Sequence, residues 1–261
     1  MKVVILAGGL GTRLSEETAT RPKPMVEIGG RPILWHLMNL YASGGFDDFV
    51  VALGYKQEVV KDYFRSLHAT NNDISIDFST GDTVVRERSK LSWKVDLVDT
   101  GADTMTGGRI KRLREIVGDH TFMCTYGDGL ASIDVAAVLA FHLRQGRAAT
   151  ITAVRPPARF GTLDITGDRV VRFVEKPQAS EGWINGGFFV FEPEIFDRID
   201  GDQTLLEHEP LVSLAADEQL SVFKHDGFWQ PMDTLRDRRL LEELWAAGDA
   251  PWVLPAKAAT V

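Results

Sequence analysis

Short runs of apolar, β-branched residues alternate along the chain with segments whose apolar residues recur every three or four positions. This is the pattern of β-α units that build a mostly parallel sheet. The runs predict strands over Lys2 to Ala7, Asp48 to Leu53, Ile74 to Ser79, Val95 to Val98, Thr121 to Tyr126, Ala149 to Val154, Val170 to Val174, Gly187 to Phe191 and Leu220 to Lys224. Helical spacing predicts helices over Ile33 to Ser43, Gln57 to Leu67, Arg109 to Val117, Ile133 to Gln145, Glu194 to Ile199, Leu206 to Ala216 and Leu235 to Ala247. The expected fold class is α/β, a Rossmann-like, mostly parallel (mixed) sheet flanked by helices.

No repeat of solenoid length, Ser/Gly linker or block of like charge divides the chain. The 261 residues are therefore read as one domain. Its softer divisions are a βα-rich half to about residue 145, a strand-rich half over 146–233, and a C-terminal helix and tail over 234–261, with a ligand cleft between the halves. At 44% hydrophobic and 25% charged residues the composition is that of a globular protein with a large core. Twenty-nine basic against 37 acidic residues give a net charge of −8, which argues against broad binding to nucleic acid or anionic membrane. An anionic ligand must then be held by a local cluster of cations.

The single cysteine, Cys124, cannot form an intrachain disulfide, and no Cys/His cluster has zinc spacing, so a reducing cytoplasm is expected. The first apolar run ends at Gly8-Gly9, too early for a signal sequence. The longest later run, Val135 to Phe141, falls well short of the roughly 18 to 20 apolar residues a membrane helix needs.

The strongest chemical signal is Val3-Val4-Ile5-Leu6-Ala7-Gly8-Gly9-Leu10-Gly11-Thr12-Arg13-Leu14, a hydrophobic strand entering a glycine-rich turn that carries an arginine. Backbone N–H groups of such a loop can approach phosphate oxygens without interference from Cβ atoms. The dinucleotide fingerprint requires glycine where Leu14 stands, and a P-loop requires Gly-Lys-Ser/Thr, so neither of the commoner phosphate loops fits. Ten residues on, Pro22 and Pro24 flank Lys23 and are expected to hold it extended, as a cation reaching back to the loop. Tyr126-Gly127-Asp128-Gly129 closes an apolar strand with a carboxylate at the end of the sheet where open α/β proteins bind ligands. Mg²⁺ is held by one or two carboxylates plus phosphate oxygens, so a partner for Asp128 is sought, and Asp233 after Trp229 is the best candidate. Asp233 can equally open a helix with Thr234, and Asp128 can serve as a turn aspartate. His36 and His142 lie in helical apolar patterns and read as core, as do Met25, Cys124 and the aromatics Trp35, Phe46 and Phe49.

The glycine loop with Pro22-Lys23-Pro24-Met25 resembles the signature of sugar-1-phosphate nucleotidylyltransferases, enzymes of the nucleotide-diphospho-sugar transferase fold. Further pieces follow in the family's order: Tyr126-Gly127-Asp128-Gly129, Arg159-Phe160-Gly161, Val174-Glu175-Lys176-Pro177, Asn185-Gly186-Gly187-Phe188 and Phe228-Trp229-Gln230-Pro231-Met232-Asp233-Thr234. Leu14-Ser15-Glu16-Glu17-Thr18 departs from the commoner Leu-x-Pro-Leu-Thr, and the Trp229 to Asp233 spacing is longer than the usual Trp-x-Asp. With Met105-Thr106-Gly107-Gly108-Arg109, these features look like the cytidylyltransferase branch acting on glucose 1-phosphate.

The resemblance implies that CTP and glucose 1-phosphate give CDP-glucose and pyrophosphate with Mg²⁺ as cofactor, in a cytoplasmic homo-oligomer serving bacterial surface polysaccharide such as O-antigen. It implies catalytic roles for Arg13 and Lys23, and a nucleotide site of Leu6, Ala7, Gly8, Gly9, Gly11, Thr12, Arg13, Lys23, Thr104, Arg109 and Gly127 in the first half. The sugar phosphate would meet Gly161, Glu175, Lys176, Asn185 and Gly186 in the second half, and the metal Asp128 and Asp233. A capped helix with a solvated basic face is the plainer reading of residues 103–114, and a solvated pair that of Glu175 and Lys176. The rivals are a uridylyl- or thymidylyltransferase of the same fold on another sugar 1-phosphate, a non-catalytic regulatory paralogue, and a nicotinamide oxidoreductase. Joint retention of Arg13, Lys23, Asp128 and Asp233 speaks against the paralogue, and Leu14 against the oxidoreductase.

Overall fold

The computed structural model describes residues 1–9, 11, 14–87, 91–156, 162–166, 169–174 and 182–253. In chain order the elements are β1 (Lys2–Leu6), α1 (Ser15–Thr18), β2 (Glu27–Ile28), β3 (Arg31–Pro32), α2 (Ile33–Ser43), β4 (Asp48–Leu53), α3 (Gln57–Thr70), β5 (Asp73–Asp77), β6 (Asp82–Glu87), β7 (Lys94–Asp99), α4 (Thr106–Arg112) and α5 (Arg114–Val117). They continue with β8 (Phe122–Tyr126), β9 (Gly129–Ala131), α6 (Val135–Gln145), β10 (Ala149–Val154), β11 (Thr162–Thr166), β12 (Arg169–Val174), β13 (Ile184–Phe191), α7 (Glu209–Ala216), β14 (Leu220–His225), β15 (Trp229–Pro231) and α8 (Leu235–Ala246).

Seven strands form one sheet in the order β14-β10-β13-β8-β1-β4-β7. All run parallel except β13, which is antiparallel to β10 and β8. The expected mixed, mostly parallel α/β sheet is therefore present. The chain leaves β1 toward β4 and β7, then returns to lay β8 on the other flank of β1, so the strand order reverses there. Crevices outside the carboxyl ends of strands at such a switch point are where α/β proteins bind ligands.

Helices cover both faces, which is why the strands read as unbroken apolar runs. Val3, Ile5 and Ala7 of the first strand and its exit pack with α2, Met25, Leu241 of α8 and Trp252. Val4 and Leu6 face the other way, onto Ile110, Leu113, Val117, Phe196, Leu211 and Leu214. Asp134 accepts the N–H groups of Ala136 and Ala137 at 3.1 Å to start α6, and Gly146, in the left-handed region at φ 61°, ends it. No helix among the described residues is long and apolar enough to cross a membrane.

Several boundaries differ from expectation for physical reasons. Residues 74–79, expected as one strand, instead form most of β5 and its turn in a hairpin with β6, whose exposed polar positions hide the pairing from an apolar-run reading. The segment expected as an α-helix over Glu194 to Ile199 is a 3₁₀ turn, Pro193–Arg198. Arg109 to Val117 is two short helices, Thr106–Arg112 and Arg114–Val117, parted at Leu113, which leaves the helical region at φ −93°, ψ 0°. Leu206 lies outside α7, since its N–H donates to Thr106 Oγ1 at 2.9 Å rather than into a helix. Lys23 is not extended either: Lys23–Met25 is a 3₁₀ turn closed by Met25 N–H on Pro22 O at 2.8 Å, with the extended residues Pro22 and Val26 on either side of it.

Candidate active site

The glycines of the first turn serve different ends. A Cβ on Gly8 would stand 2.2 Å from the Arg109 guanidinium, so Gly8 makes room for that side chain. Gly11 has φ +64° and lies under Thr18, whose Oγ1 donates to Gly11 O at 3.1 Å and to Leu14 O at 3.0 Å. A Cβ on Gly9 would meet nothing within 4 Å, so neither packing nor a positive φ requires glycine there. What remains is a bare backbone facing a cavity of about 430 Å³. Leu6, Ala7, Gly8, Gly9, Gly11, Lys23, Thr104, Arg109, Gly127, Asp128 and Asp233 all line this cavity, together with Tyr126, Thr106 and Glu207. It opens at the carboxyl ends of β1 and β8, where Gly127 N–H donates to Leu6 O at 3.0 Å.

Lys23, only 8% exposed, donates from Nζ to Asp128 Oδ2 at 2.6 Å and to Asp233 Oδ1 at 2.7 Å. Burial works to lower its pKa, but the two carboxylates, Asp128 foremost, outweigh it and hold the ammonium above the ordinary lysine value. A three-residue ladder makes the meeting possible. β9 pairs with β15, Gly129 opposite Pro231, and Met232 N–H donates to Asp128 O at 2.8 Å, bringing the residues after β8 and β15 side by side. Asp233 N–H and the capping box of α8 are satisfied by Asp237 Oδ2, at 3.1 Å from Asp233 N and 2.9 Å from Thr234 N. Asp237, the next carboxylate along, is thus occupied as a helix cap.

Two carboxylates converging on one point suit a hard divalent cation, which takes one or two protein carboxylates and completes its shell with phosphate oxygens and water. Among the described residues no group of three or more His, Cys, Asp or Glu side chains converges. Asp128 and Asp233 are two carboxylates that meet at the Lys23 ammonium.

Arg109 sits across the crevice and is 4% exposed. Its Nη1 donates to Leu53 O at 3.0 Å, Thr100 Oγ1 at 2.8 Å and Gly101 O at 2.7 Å, and its Nη2 to Gly8 O at 3.0 Å and Ala102 O at 3.2 Å. Burial, with Arg112 nearby, lowers its pKa. These bonds make Arg109 a clamp on the ends of β1, β4 and β7. The basic face of α4 and α5 is largely paired: Arg112 with Asp202 at 2.6 Å and Arg114 with Asp197 at 2.7 Å, both exposed.

Asn185 and Gly186 do not line the cavity. They stand behind Tyr126, whose OH accepts from Asn185 Nδ2 at 3.3 Å, and Gly186 O accepts Trp229 Nε1–H at 2.8 Å. Thr12, Arg13, Gly161, Glu175 and Lys176 lie outside the described residues. His36 and His142 are core groups as expected, on Ile28 O at 2.9 Å and on Thr150 Oγ1 at 2.9 Å. Burial pushes the Cys124 thiol up, leaving it inert. Sequence reasoning missed Glu207, Thr106 and the role of Tyr126. Tyr126 donates to Glu207 Oε1, and burial, then the neighbouring carboxylate, pushes the phenol's pKa up so that it stays protonated. The signal available was a glutamate in Leu206-Glu207-His208-Glu209-Pro210, which resembles an ordinary acidic helix start.

Bare glycine backbone and a carboxylate pair lining one crevice at the switch point of a mostly parallel sheet are the arrangement in which α/β proteins handle nucleotides. The chain belongs to the Nucleotidyl transferase family, which matches residues 2–230, and is a sugar-1-phosphate nucleotidylyltransferase. It is 52% identical over 253 residues to a glucose-1-phosphate cytidylyltransferase of Salmonella typhimurium, covering 97% of this chain and 98% of that protein. It is 43% identical over 253 residues to a probable glucose-1-phosphate cytidylyltransferase of Bacillus subtilis, covering 97% and 99%. Among solved structures, HddC from Yersinia pseudotuberculosis complexed with GMP-PN matches with a TM-score of 0.68 at 26% identity, over 94% of this chain and 99% of that one. A UDP-glucose pyrophosphorylase complexed with UDP-glucose has the same fold, with a TM-score of 0.66 at 14% identity over 95% and 98%.

Proposed function

We propose that the protein transfers a cytidylyl group from CTP to α-D-glucose 1-phosphate, forming CDP-glucose and releasing pyrophosphate. The observation that carries this reading is the 52% identity, over nearly the whole of both chains, to the Salmonella glucose-1-phosphate cytidylyltransferase.

The sugar-phosphate oxygen attacks the α-phosphorus in line. A phosphate monoester with a second pKa near 6 is already largely dianionic at pH 7, so no general base is required. What the protein supplies is positioning and charge neutralisation. Backbone amides of Gly8, Gly9 and Gly11, with Arg13, hold the departing β- and γ-phosphates, and Lys23 neutralises charge at the α-phosphate. Asp128 and Asp233 hold Mg²⁺, which when bound offsets charge on the nucleotide and sugar phosphates. Gly161, Glu175 and Lys176 receive glucose 1-phosphate in the half over 146–233, with Asn185 acting from behind through Tyr126. A protein net charge of −8 makes these local cations the means by which a polyanion is held.

The test is pyrophosphate release across CTP, UTP, dTTP and GTP, each with glucose 1-phosphate and with other sugar 1-phosphates, the products separated by chromatography. CDP-glucose as the dominant product supports the reading. UDP- or dTDP-glucose as the dominant product moves the protein to another branch of the family, and no product with any pair overturns it.

A further inference from the structure

The cavity contains a carboxylate that the roles above do not use. Glu207 lies on its wall, in the short segment before α7. It accepts the Tyr126 hydroxyl on Oε1 and the Thr106 hydroxyl on Oε2, the latter at 2.8 Å. Tyr126 in turn accepts Asn185 Nδ2–H at 3.3 Å, so three side chains pass hydrogen bonds in one direction, toward Glu207. Among the described residues no cation lies within ion-pair distance of it. It also shares no metal-type cluster with Asp128 and Asp233.

The fold delivers this group with some care. Met105 N–H donates to Asp202 O at 2.8 Å, and the N–H groups of Gly107 and Gly108 donate to Thr204 O at 3.0 and 3.2 Å. A Cβ on Gly107 would stand 2.8 Å from Thr204 O, and one on Gly108 2.5 Å from Asp202 O, so only glycine lets α4 seat against this segment. Thr106-Gly107-Gly108-Arg109 thus has two jobs: Arg109 clamps the loops at β4 and β7, and the two glycines dock the strap that carries Glu207 into the cavity.

An uncompensated carboxylate beside a cradle for phosphates repels the ligand's charged parts and is useful only toward neutral donors. Its direct anchors are Thr106 at the start of α4 and Tyr126 on β8, and Tyr126 is itself held by Asn185 on β13, on the flank of β1 opposite β4 and β7, whose ends form the Arg109 loop. We infer that Glu207 is a specificity-determining residue that accepts a hydrogen bond from a hydroxyl of the hexose, held for that purpose by Tyr126 and Thr106. This inference rests on the reading of the cavity as the site for CTP and glucose 1-phosphate. Each carboxylate oxygen has a lone pair beyond the one its protein donor uses. A site built to accept a substrate O–H discriminates sharply against an analogue lacking it.

The experiment compares wild type, Glu207→Gln and Tyr126→Phe in steady state, using glucose 1-phosphate and its 2-, 3-, 4- and 6-deoxy analogues, with thermal midpoints recorded in parallel. Glu207→Gln is expected to raise KM for glucose 1-phosphate by about tenfold or more while KM for CTP stays within about twofold. One deoxy analogue should show the same loss with wild type and no further loss with Glu207→Gln, the non-additivity of two groups that touch. Tyr126→Phe, which removes only an anchor, should shift KM for the sugar in the same direction by less. An unchanged KM for glucose 1-phosphate, equal losses with every analogue in both proteins, or a rise confined to CTP overturns the inference. Failure of wild type to make CDP-glucose is a separate result, and it overturns the underlying reading instead.

Discussion

Lys23 Nζ lies 2.7 Å from Asp233 Oδ1 although 210 residues separate them in the chain, and the same nitrogen lies 2.6 Å from Asp128 Oδ2. The contact joins the first crossover of the sheet to the cap of the last helix, through a β9–β15 ladder three residues long. The ammonium stands where the two carboxylates converge, which is also where a divalent cation would be held. Its position as a bridge and its proposed role at the α-phosphate require it to give up at least one of these partners as substrates arrive.

Lys23→Met should therefore act in two ways. Turnover should fall by about 10²- to 10³-fold, the scale for removing one transition-state donor, with a smaller effect on nucleotide binding. Mn²⁺ binding followed by electron paramagnetic resonance, without turnover, should tighten, because no ammonium competes for the carboxylates. Near-normal turnover with unchanged Mn²⁺ affinity would leave Lys23 a purely structural ion-pair partner.

Asp128→Asn and Asp233→Asn should each remove most Mg²⁺-dependent turnover, since each takes one charged oxygen from the pair. Asp237→Asn should behave differently. Asp237 accepts from Asp233 N, Thr234 N and Gln230 Nε2 and is a cap, so its loss should cost about 1 kcal/mol of stability, roughly 2 °C in Tm, at unchanged magnesium dependence. Titration of activity with Mg²⁺ beside thermal melts separates the two patterns; a changed Mg²⁺ dependence in Asp237→Asn would refute the division.

Much of the architecture was legible because the buried strands announce themselves. Asp48–Leu53 and Ala149–Val154 coincide with their apolar runs, and Ile33–Ser43 with its helical spacing. The glycine loop, Lys23, Asp128 and Asp233 were legible as chemistry. Their joining was not, because β9 and β15 are three residues each, lie about a hundred residues apart and have no periodicity to read. Arg109 lines the cavity as the sequence suggested, but its five bonds to Leu53 O, Thr100 Oγ1, Gly101 O, Gly8 O and Ala102 O carry no signal in the sequence. Glu207 went unnoticed because its significance lies in Thr106 and Tyr126, which reach it across 101 and 81 residues.

Gly108→Ala tests the docking of the strap directly. Its methyl would collide with the Asp202 backbone, which cannot swing aside as a side chain could. The expected cost is about 1 to 3 kcal/mol, read in denaturant melts, with KM for glucose 1-phosphate rising as the Glu207 segment is displaced. Gly9→Ala, which meets nothing within 4 Å, should leave stability within about 0.5 kcal/mol while weakening nucleotide binding. Equal melting of the two variants would contradict the packing argument.

His36 gives a pH prediction. Burial lowers its pKa below the ordinary 6.5, while Nε2 faces Ile28 O and Nδ1 accepts from Trp252 Nε1–H at 3.2 Å. A folded-state pKa depressed below the unfolded value means that the unfolded chain binds the proton more readily. Stability from this group is complete above about pH 6.5 and is lost as pH falls from there toward the folded pKa. An NMR titration of the His36 ring should show a midpoint below 6.5, and a midpoint above it would contradict the buried neutral imidazole.

The last prediction concerns the base. Cytosine differs from uracil by an exocyclic amino group and an unprotonated ring nitrogen, so a discriminating pocket must offer an acceptor to the first and a donor to the second. The loops at the ends of β1, β4 and β7 can do so only if their backbone groups are fixed, and Arg109 fixes them. Gly8 O already accepts Tyr55 N–H at 3.2 Å and Arg109 Nη2 at 3.0 Å, and Gly101 O and Ala102 O are held by the same guanidinium. The groups left to read the base are thus the others of the Gly8 to Gly11 and Thr104 to Arg109 segments. Leaving buried donors or acceptors unpaired against UTP costs about 1 to 3 kcal/mol each, and 1.36 kcal/mol is one decade in rate. Wild type should therefore prefer CTP over UTP and dTTP by at least roughly tenfold in kcat/KM with glucose 1-phosphate. Arg109→Lys, which keeps the charge but cannot span five acceptors, should narrow that ratio more than it lowers turnover with CTP. Competing nucleotides at equal concentration, with products separated by chromatography, measure both ratios. Equal yields of UDP-glucose and CDP-glucose from wild type would sink the cytidylyl assignment, and an unchanged ratio in Arg109→Lys would remove the clamp from base selection.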